Sequence, residues 1–186
     1  MMEGTMNHTL PPETTRSARV LVACIGNIFL GDDGFGVEVA QRLMTRQYPE
    51  GVRVVDFGIR GMDLAYALLD EYDELVLVDA IPRGGPPGTL YLIEPDLTGM
   101  NPEKGVEAGI AALDSHSMDP VKVLSYARTL GARPIHTLLV GCEPAIISAG
   151  EDFEDMLMGL SEPVQAAVDE AVKMIDSLVE QLLSSE

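Results

Sequence analysis

The chain has 186 residues, 46% of them apolar, and a formal charge of −18 from 30 acidic against 12 basic side chains. That length and apolar fraction fit one medium domain with a full core and argue against disorder throughout. So few lysines and arginines exclude phosphate-backbone binding and attachment to an anionic membrane, so neither nucleic acid nor membrane is expected as a partner.

Residues 1–18 are polar, with Thr, Pro and Glu and no apolar stretch. They read as a flexible N-terminal tail rather than a signal peptide, with His8 a solvated residue in it. Residues 19–186 are expected to form one α/β domain. Val20–Ile25 is an apolar run suited to a strand buried on both faces. The chain then breaks at Gly26-Asn27 and passes through Gly31-Asp32-Asp33-Gly34. It resumes with Val37, Ala40, Leu43 and Met44 at helical spacing. Two adjacent carboxylates therefore sit in a glycine-rich loop between a strand's carboxyl end and a helix's amino end, where open α/β sheets place ligands and chemistry. Of the pair, Asp33 is assigned to the site, and Asp32 is expected to cap the helix or tune its neighbour's charge.

Residues 52–56 read as a second strand, Gly58-Ile59-Arg60-Gly61 as a turn, and Met62, Ala65, Leu68 and Leu69 as one face of a helix. Residues 75–79 (LVLVD) form the next buried strand. The PRGGPPG segment, residues 82–88, can only be a loop. Residues 89–93 follow without an intervening helix, which suits an antiparallel edge strand. Residues 94–112, rich in Pro, Gly and acids, carry no assignable element; long irregular pieces of this kind are often functional loops. Asp119-Pro120 marks a capped helix start, Val121, Leu124 and Ala127 its apolar face, and Gly131 its end. Residues 135–142 make a fifth strand, 143–159 a surface loop, and 162–183 a long helix. That helix carries one stripe through Val164, Ala167, Val168, Ala171, Ile175, Leu178, Val179 and Leu182. The sum is a three-layer α/β/α sandwich on a mostly parallel sheet of about five strands, with one antiparallel edge strand.

Cys24 and Cys142 lie in strand-like runs without metal-ligand spacing, and so read as buried, reduced thiols of a cytoplasmic protein. No run approaches the roughly 18 apolar residues of a membrane span. Gly26 to Gly31 has bulky residues where a dinucleotide loop needs glycine, and Asp32 and Asp33 would repel a pyrophosphate. There is no Walker loop, no G-x-S-x-G elbow and no H-E-x-x-H.

Parallel strands bring their carboxyl ends to one edge of the sheet, so the loops after them face a common crevice. Asp33 follows the first strand, Asp56 ends the second and Asp79 the third, while His116 lies in a polar loop just before a capped helix. One imidazole and two or three carboxylates facing a crevice can bind a transition metal with positions open for water. The same set can hold a water between a base and an acid without metal. His136, inside the fifth strand, reads as structural or surface.

These residues carry a resemblance that extends from about Arg19 to the last helix. Gly26-Asn27 followed by Asp32-Asp33-Gly34-x-Gly36 is its most specific part. Asp56 with Gly58 and Gly61-Met62, Asp79-Ala80, and His116 in SHSMDP support it. In these features the chain resembles the hydrogenase maturation proteases, endopeptidases that trim the large subunit of nickel–iron hydrogenases.

The resemblance implies removal of a C-terminal extension from the large-subunit precursor after nickel insertion, a late maturation step. It implies an aspartic-type peptidase whose metal is recognised by Asp33, Asp79 and His116, with nickel supplied by the substrate and cadmium or zinc able to occupy the same site. The metal either polarises the reacting groups or serves for recognition alone while an aspartate acts as base. Asp56 and Arg60 are the candidate substrate-binding residues; salt-bridging of Arg60 to one of the many acids is the alternative. The chain departs from many relatives at Phe57 and Arg60, and Asp33 is shorter than the glutamate some relatives carry. A cytoplasmic monomer partnered by the hydrogenase large-subunit precursor is expected. Two other readings of the same scaffold are a non-cleaving chaperone that escorts the precursor and a small-molecule metallohydrolase.

Overall fold

The computed structural model describes residues 18–97, 119–147 and 156–184. Nine named elements run in the order β1 (Val20–Ile25), α1 (Phe35–Leu43), β2 (Val52–Gly58), α2 (Gly61–Ala67), β3 (Glu74–Ala80), β4 (Leu90–Ile93), α3 (Pro120–Thr129), β5 (His136–Cys142) and α4 (Glu162–Ser184). The strands form one sheet in the order β2-β1-β3-β5-β4, parallel throughout except for the β4–β5 pair. The expected α/β/α architecture and its antiparallel edge strand are both present.

Side-chain alternation on the strands builds a separate core on each face. Val20, Val22 and Cys24 of β1 point to the face covered by α1 and α4, with Val76 and Val78 of β3 beside them. Leu21, Ala23 and Ile25 point to the face covered by α2 and α3, with Leu75 and Leu77. Every residue of β1 is buried, as befits a strand with neighbours on both sides and helices above and below. The stripe on α4 is buried at Val164, Ala167, Val168, Ala171, Ile175, Leu178 and Val179, and Val172 joins it. Truncating Ile175, which is fully buried, would cost about 2–5 kcal/mol by loss of transfer energy and creation of a cavity.

Helix α1 lies close over the sheet because residue 36 has no side chain. A Cβ at Gly36 would stand 2.1 Å from the Ile25 carbonyl oxygen and 2.6 Å from that of Val78. The start of α1 is thereby seated directly on the ends of β1 and β3. Strand β2 runs two residues further than its sequence pattern suggests. Its ladder slips at a bulge, so that Cys24 faces Asp56 and Ile25 faces Gly58, leaving Phe57 as the extra residue.

The loop before β4 is fixed by Glu143, a residue that no motif singles out. Glu143, buried at the end of β5, accepts bonds from the Arg83 N–H at 2.9 Å, the Gly84 N–H at 3.0 Å and the Tyr91 hydroxyl at 2.8 Å. No helix among the described residues is long and apolar enough to cross a membrane.

Candidate active site

The site loop begins where β1 ends. Gly26 takes φ +145°, and a Cβ there would fall 2.0 Å from the Asp33 carbonyl oxygen, so only glycine lets the two ends of this loop close on each other. The Asn27 N–H then donates to Asp33 twice, to its carbonyl oxygen at 3.2 Å and to its carboxylate Oδ2 at 2.9 Å. The Asn27 side chain turns the chain by accepting from the Phe29 N–H at 3.0 Å. Asp33 itself stands in a single 3₁₀ turn, Asp32–Gly34, that feeds into α1.

Asp32 and Asp33 have different surroundings. Asp32 is fully buried. Its carboxylate accepts from the Ala145 N–H at 2.8 Å, the Ile146 N–H at 2.9 Å, the Ser161 N–H at 2.6 Å and the Ser161 hydroxyl at 2.9 Å. Burial alone would raise its pKa, but these four donors outweigh burial and hold it below the ordinary carboxylate value. The capping role expected of Asp32 is not what it performs: neither the 3₁₀ turn nor α1 receives a side-chain cap. Asp32 instead fastens the segment after β5 and the start of α4 to the site loop.

Asp33 has one donor, and burial prevails, so its pKa is raised. Asp79 is raised further, well above the usual range. Burial is the main cause, and the charges of Asp33 and Asp119 add to it, while the Ala80 N–H opposes it from 2.8 Å. Asp33 and Asp79 are therefore electrostatic neighbours at the carboxyl ends of β1 and β3. In the β3 alternation Asp79 falls on the face of Leu75 and Leu77, the face that α3 covers. Asp119 caps α3 by accepting from the Val121 N–H at 3.0 Å. The sequence discloses it only as a cap; its influence on Asp79 needs the fold. His116 precedes Asp119 by three residues and lies outside the described residues. Among the described residues no group of three His, Cys, Asp or Glu side chains could hold a metal.

Asp56 occupies a different place. It lies within β2 rather than at its end, opposite Cys24, and so belongs to the α1 face of the sheet. Its Oδ1 is buried with no hydrogen-bond partner among the described residues. A cleft of about 230 Å³ adjoins it, lined among others by Gly26, Asn27, Phe29, Val37 and Arg60. Arg60 braces the turn after β2: its Nε donates to the Phe57 carbonyl at 3.1 Å and its Nη2 to the Asp56 carbonyl. Its Nη1 also lies 3.8 Å from Asp63, the ion pair offered as the alternative to substrate contact.

Both cysteines are free and buried, and burial raises their pKa values, that of Cys142 to about 12. His136 sits at the opposite end of the sheet, bonded to Glu74 and Glu94, in a structural role.

The model of the HycI family, described as hydrogenase maturation protease, matches residues 37–178. The chain belongs to the hydrogenase maturation protease family. It is thus a hydrolase of the protease class. It is 32% identical to the hydrogenase expression/formation protein HupD of Bradyrhizobium diazoefficiens over 88% of this chain and 79% of that one. A putative hydrogenase maturation protease of Methanocaldococcus jannaschii is 33% identical over 84% of this chain and 93% of its own. Among solved structures, the hydrogenase 2 maturation peptidase of a Thaumarchaeota archaeon superposes with a TM-score of 0.62 at 30% identity, covering 87% of this chain and 98% of that one. The hydrogenase maturating endopeptidase HybD of E. coli gives 0.64 at 26% identity, covering 88% and 93%.

Proposed function

We propose that this protein is the endopeptidase that removes the C-terminal extension of a nickel–iron hydrogenase large-subunit precursor after nickel has been inserted. The observation that carries this reading is the pairing of Asp33 and Asp79, two half-buried carboxyls at the carboxyl ends of β1 and β3 whose pKa values are both raised, with the charge of Asp33 acting on Asp79. Such a pair resists holding two negative charges in a partly dry crevice unless a cation arrives to offset them. Nickel carried in the precursor is such a cation, and the donor set of two carboxylates with His116 suits a borderline divalent metal. A precursor without nickel brings no cation to offset the pair and lacks the contact. The site's chemistry would therefore separate loaded from empty substrate.

For cleavage, a carboxylate that ligates through one oxygen keeps the other for a proton, so it can take one from the attacking water. Asp56, with its unpartnered oxygen, and Arg60, at the cleft's rim, are assigned to the substrate chain beside the reacting bond. The enzyme works as a cytoplasmic monomer on this reading.

Mass spectrometry of the purified precursor, with and without nickel, before and after addition of this protein, tests the whole reading. Loss of the C-terminal mass from the nickel-loaded form alone is expected. A stable complex with no change in mass would support an escort in place of a protease. Equal cleavage of both forms would remove nickel from the recognition step.

A further inference from the structure

The loop that carries Asp33 is bridged on two sides by other chain segments, outside the named strands, and the three together make a small ribbon. Gly31 pairs with Ile147 in antiparallel fashion on one side, and Leu30 with Leu157 in parallel fashion on the other. The bonds are well formed: the Asp32 N–H donates to the Ile146 carbonyl at 3.0 Å, the Gly31 N–H to the Leu157 carbonyl at 2.7 Å, and the Leu157 N–H to the Phe29 carbonyl at 3.0 Å. Buried Asp32 clamps this ribbon in place through its bonds to Ala145, Ile146 and Ser161.

All three segments of the ribbon turn apolar side chains to solvent. Ile28, Phe29, Ile146, Ile147, Leu157 and Met158 are between 40% and 71% exposed. None of residues 28–30, 146–147 or 156–158 is charged, in a chain where 23% of residues are. Exposed apolar surface gathered on three separate segments marks an interaction site. Methionine, represented by Met156 and Met158, suits a surface that must adapt to a partner. The outer segment also offers backbone: among the described residues, no main-chain group bonds the amides and carbonyls of Met156 and Met158.

We infer that this ribbon is the docking shelf for an extended, apolar stretch of the precursor's C-terminal region. The stretch adds alongside residues 156–158, at the main-chain groups of Met156 and Met158 that no described main-chain group bonds, and lays alternate side chains on the shelf. The inference rests on the proteolytic reading above. An endopeptidase must hold its substrate extended on at least one side of the reacting bond, and strand addition supplies main-chain bonds while an apolar surface supplies selectivity. The shelf is continuous through the backbone with Asp33, so a chain seated on it is led to the carboxylates. A second copy of this protein on the shelf would instead close the crevice against its own kind.

The test uses the full-length protein and nickel-loaded precursor, with cleavage followed by mass spectrometry over a range of precursor concentrations. Ile147→Asp and Met158→Asp, on different segments, are each expected to raise KM about tenfold while kcat stays within about twofold. Met158→Ser, which removes apolar surface without adding charge, moves KM in the same direction by a smaller factor. Cleavage by the wild-type chain with KM unchanged in all three variants overturns the shelf and leaves the protease standing. If the wild-type chain does not cleave, the protease reading fails; the same variants are then compared for precursor binding, and an unchanged Kd overturns the shelf as well. A wild-type dimer in sedimentation that Met158→Asp dissociates also overturns it, by assigning the surface to self-association.

Discussion

Ser161 donates to Asp32 twice, through its backbone N–H at 2.6 Å to Oδ1 and through its hydroxyl at 2.9 Å to Oδ2. The two residues stand at the start of α4 and in the 3₁₀ turn before α1, so this pair fixes the last helix to the site loop. Asp32→Asn would turn an NH₂ group towards donors and is expected to cost about 2–4 kcal/mol. The charge also makes the contribution pH-dependent. The folded-state pKa of Asp32 is lowered, so its stabilisation is present above the unfolded value of roughly 3.9 and is lost as pH falls through the folded value. Urea unfolding at pH 7 and pH 3 should show a wide gap between wild type and variant at the higher pH and a narrower one at the lower.

Asp79 has the opposite sign. Its folded-state pKa is raised by burial and by its acidic neighbours. Its contribution is therefore most favourable below the unfolded value of about 3.9 and is lost as pH rises through the folded value. Asp79→Asn keeps an oxygen for the Ala80 N–H and carries no charge. It should raise stability by about 1–2 kcal/mol at pH 7, give no gain below pH ~4, and abolish cleavage. Thermal unfolding at the two pH values, paired with the precursor assay, checks both halves.

Gly36→Ala tests whether the seat of α1 on the strand ends matters. The added methyl would meet two carbonyl oxygens of the sheet backbone, which cannot swing aside as a side chain could. A loss of about 2–4 kcal/mol is expected, or failure to fold at 37 °C. Ala at exposed Met44, the residue just past the other end of the same helix, should change stability by less than about 0.5 kcal/mol.

Asp56→Asn separates a binding role from a structural one. No donor among the described residues reaches the buried Oδ1, so the described fold loses no bond there when the charge goes. Thermal stability is expected to stay within about 0.5 kcal/mol of wild type, while KM for the precursor rises by roughly tenfold. Equal losses in stability and in activity would show Asp56 to be a structural residue.

Much of the fold can be read from periodicity, because buried parallel strands and amphipathic helices are written in the order of apolar residues. Val20–Ile25 and the α4 stripe are the clearest cases. Where the reading stops, the cause is physical. The bulge at Phe57 carries β2 on to Gly58, so Asp56 lies inside the strand rather than at its end, and no sequence pattern distinguishes a bulged strand from a straight one that ends earlier. Asp32 and Asp33 are identical side chains side by side. Only contacts with Ser161 and Ile146, far along the chain, divide the anchor from the titrating group. Glu143 went unread for the same reason, since its donors are loop amides from residues about 60 positions away. The Asp33–Asp79 proximity could be expected from topology alone, because both follow neighbouring parallel strands.

The bond between Asp32 and Ser161 spans 129 residues of sequence. During synthesis, β1, α1, β2 and β3 have all left the ribosome well before Ser161 appears, and the site loop until then lacks two of its four ties. Its other two wait for Ala145 and Ile146. A growing chain can therefore stack much of its sheet early, but the loop bearing Asp33 settles only when nearly all of the polypeptide has emerged. Proteolytic competence is in this sense timed by chain length: a partly made copy carries Asp33 and Asp79, the carboxylates proposed for the reaction, without the frame that aims them.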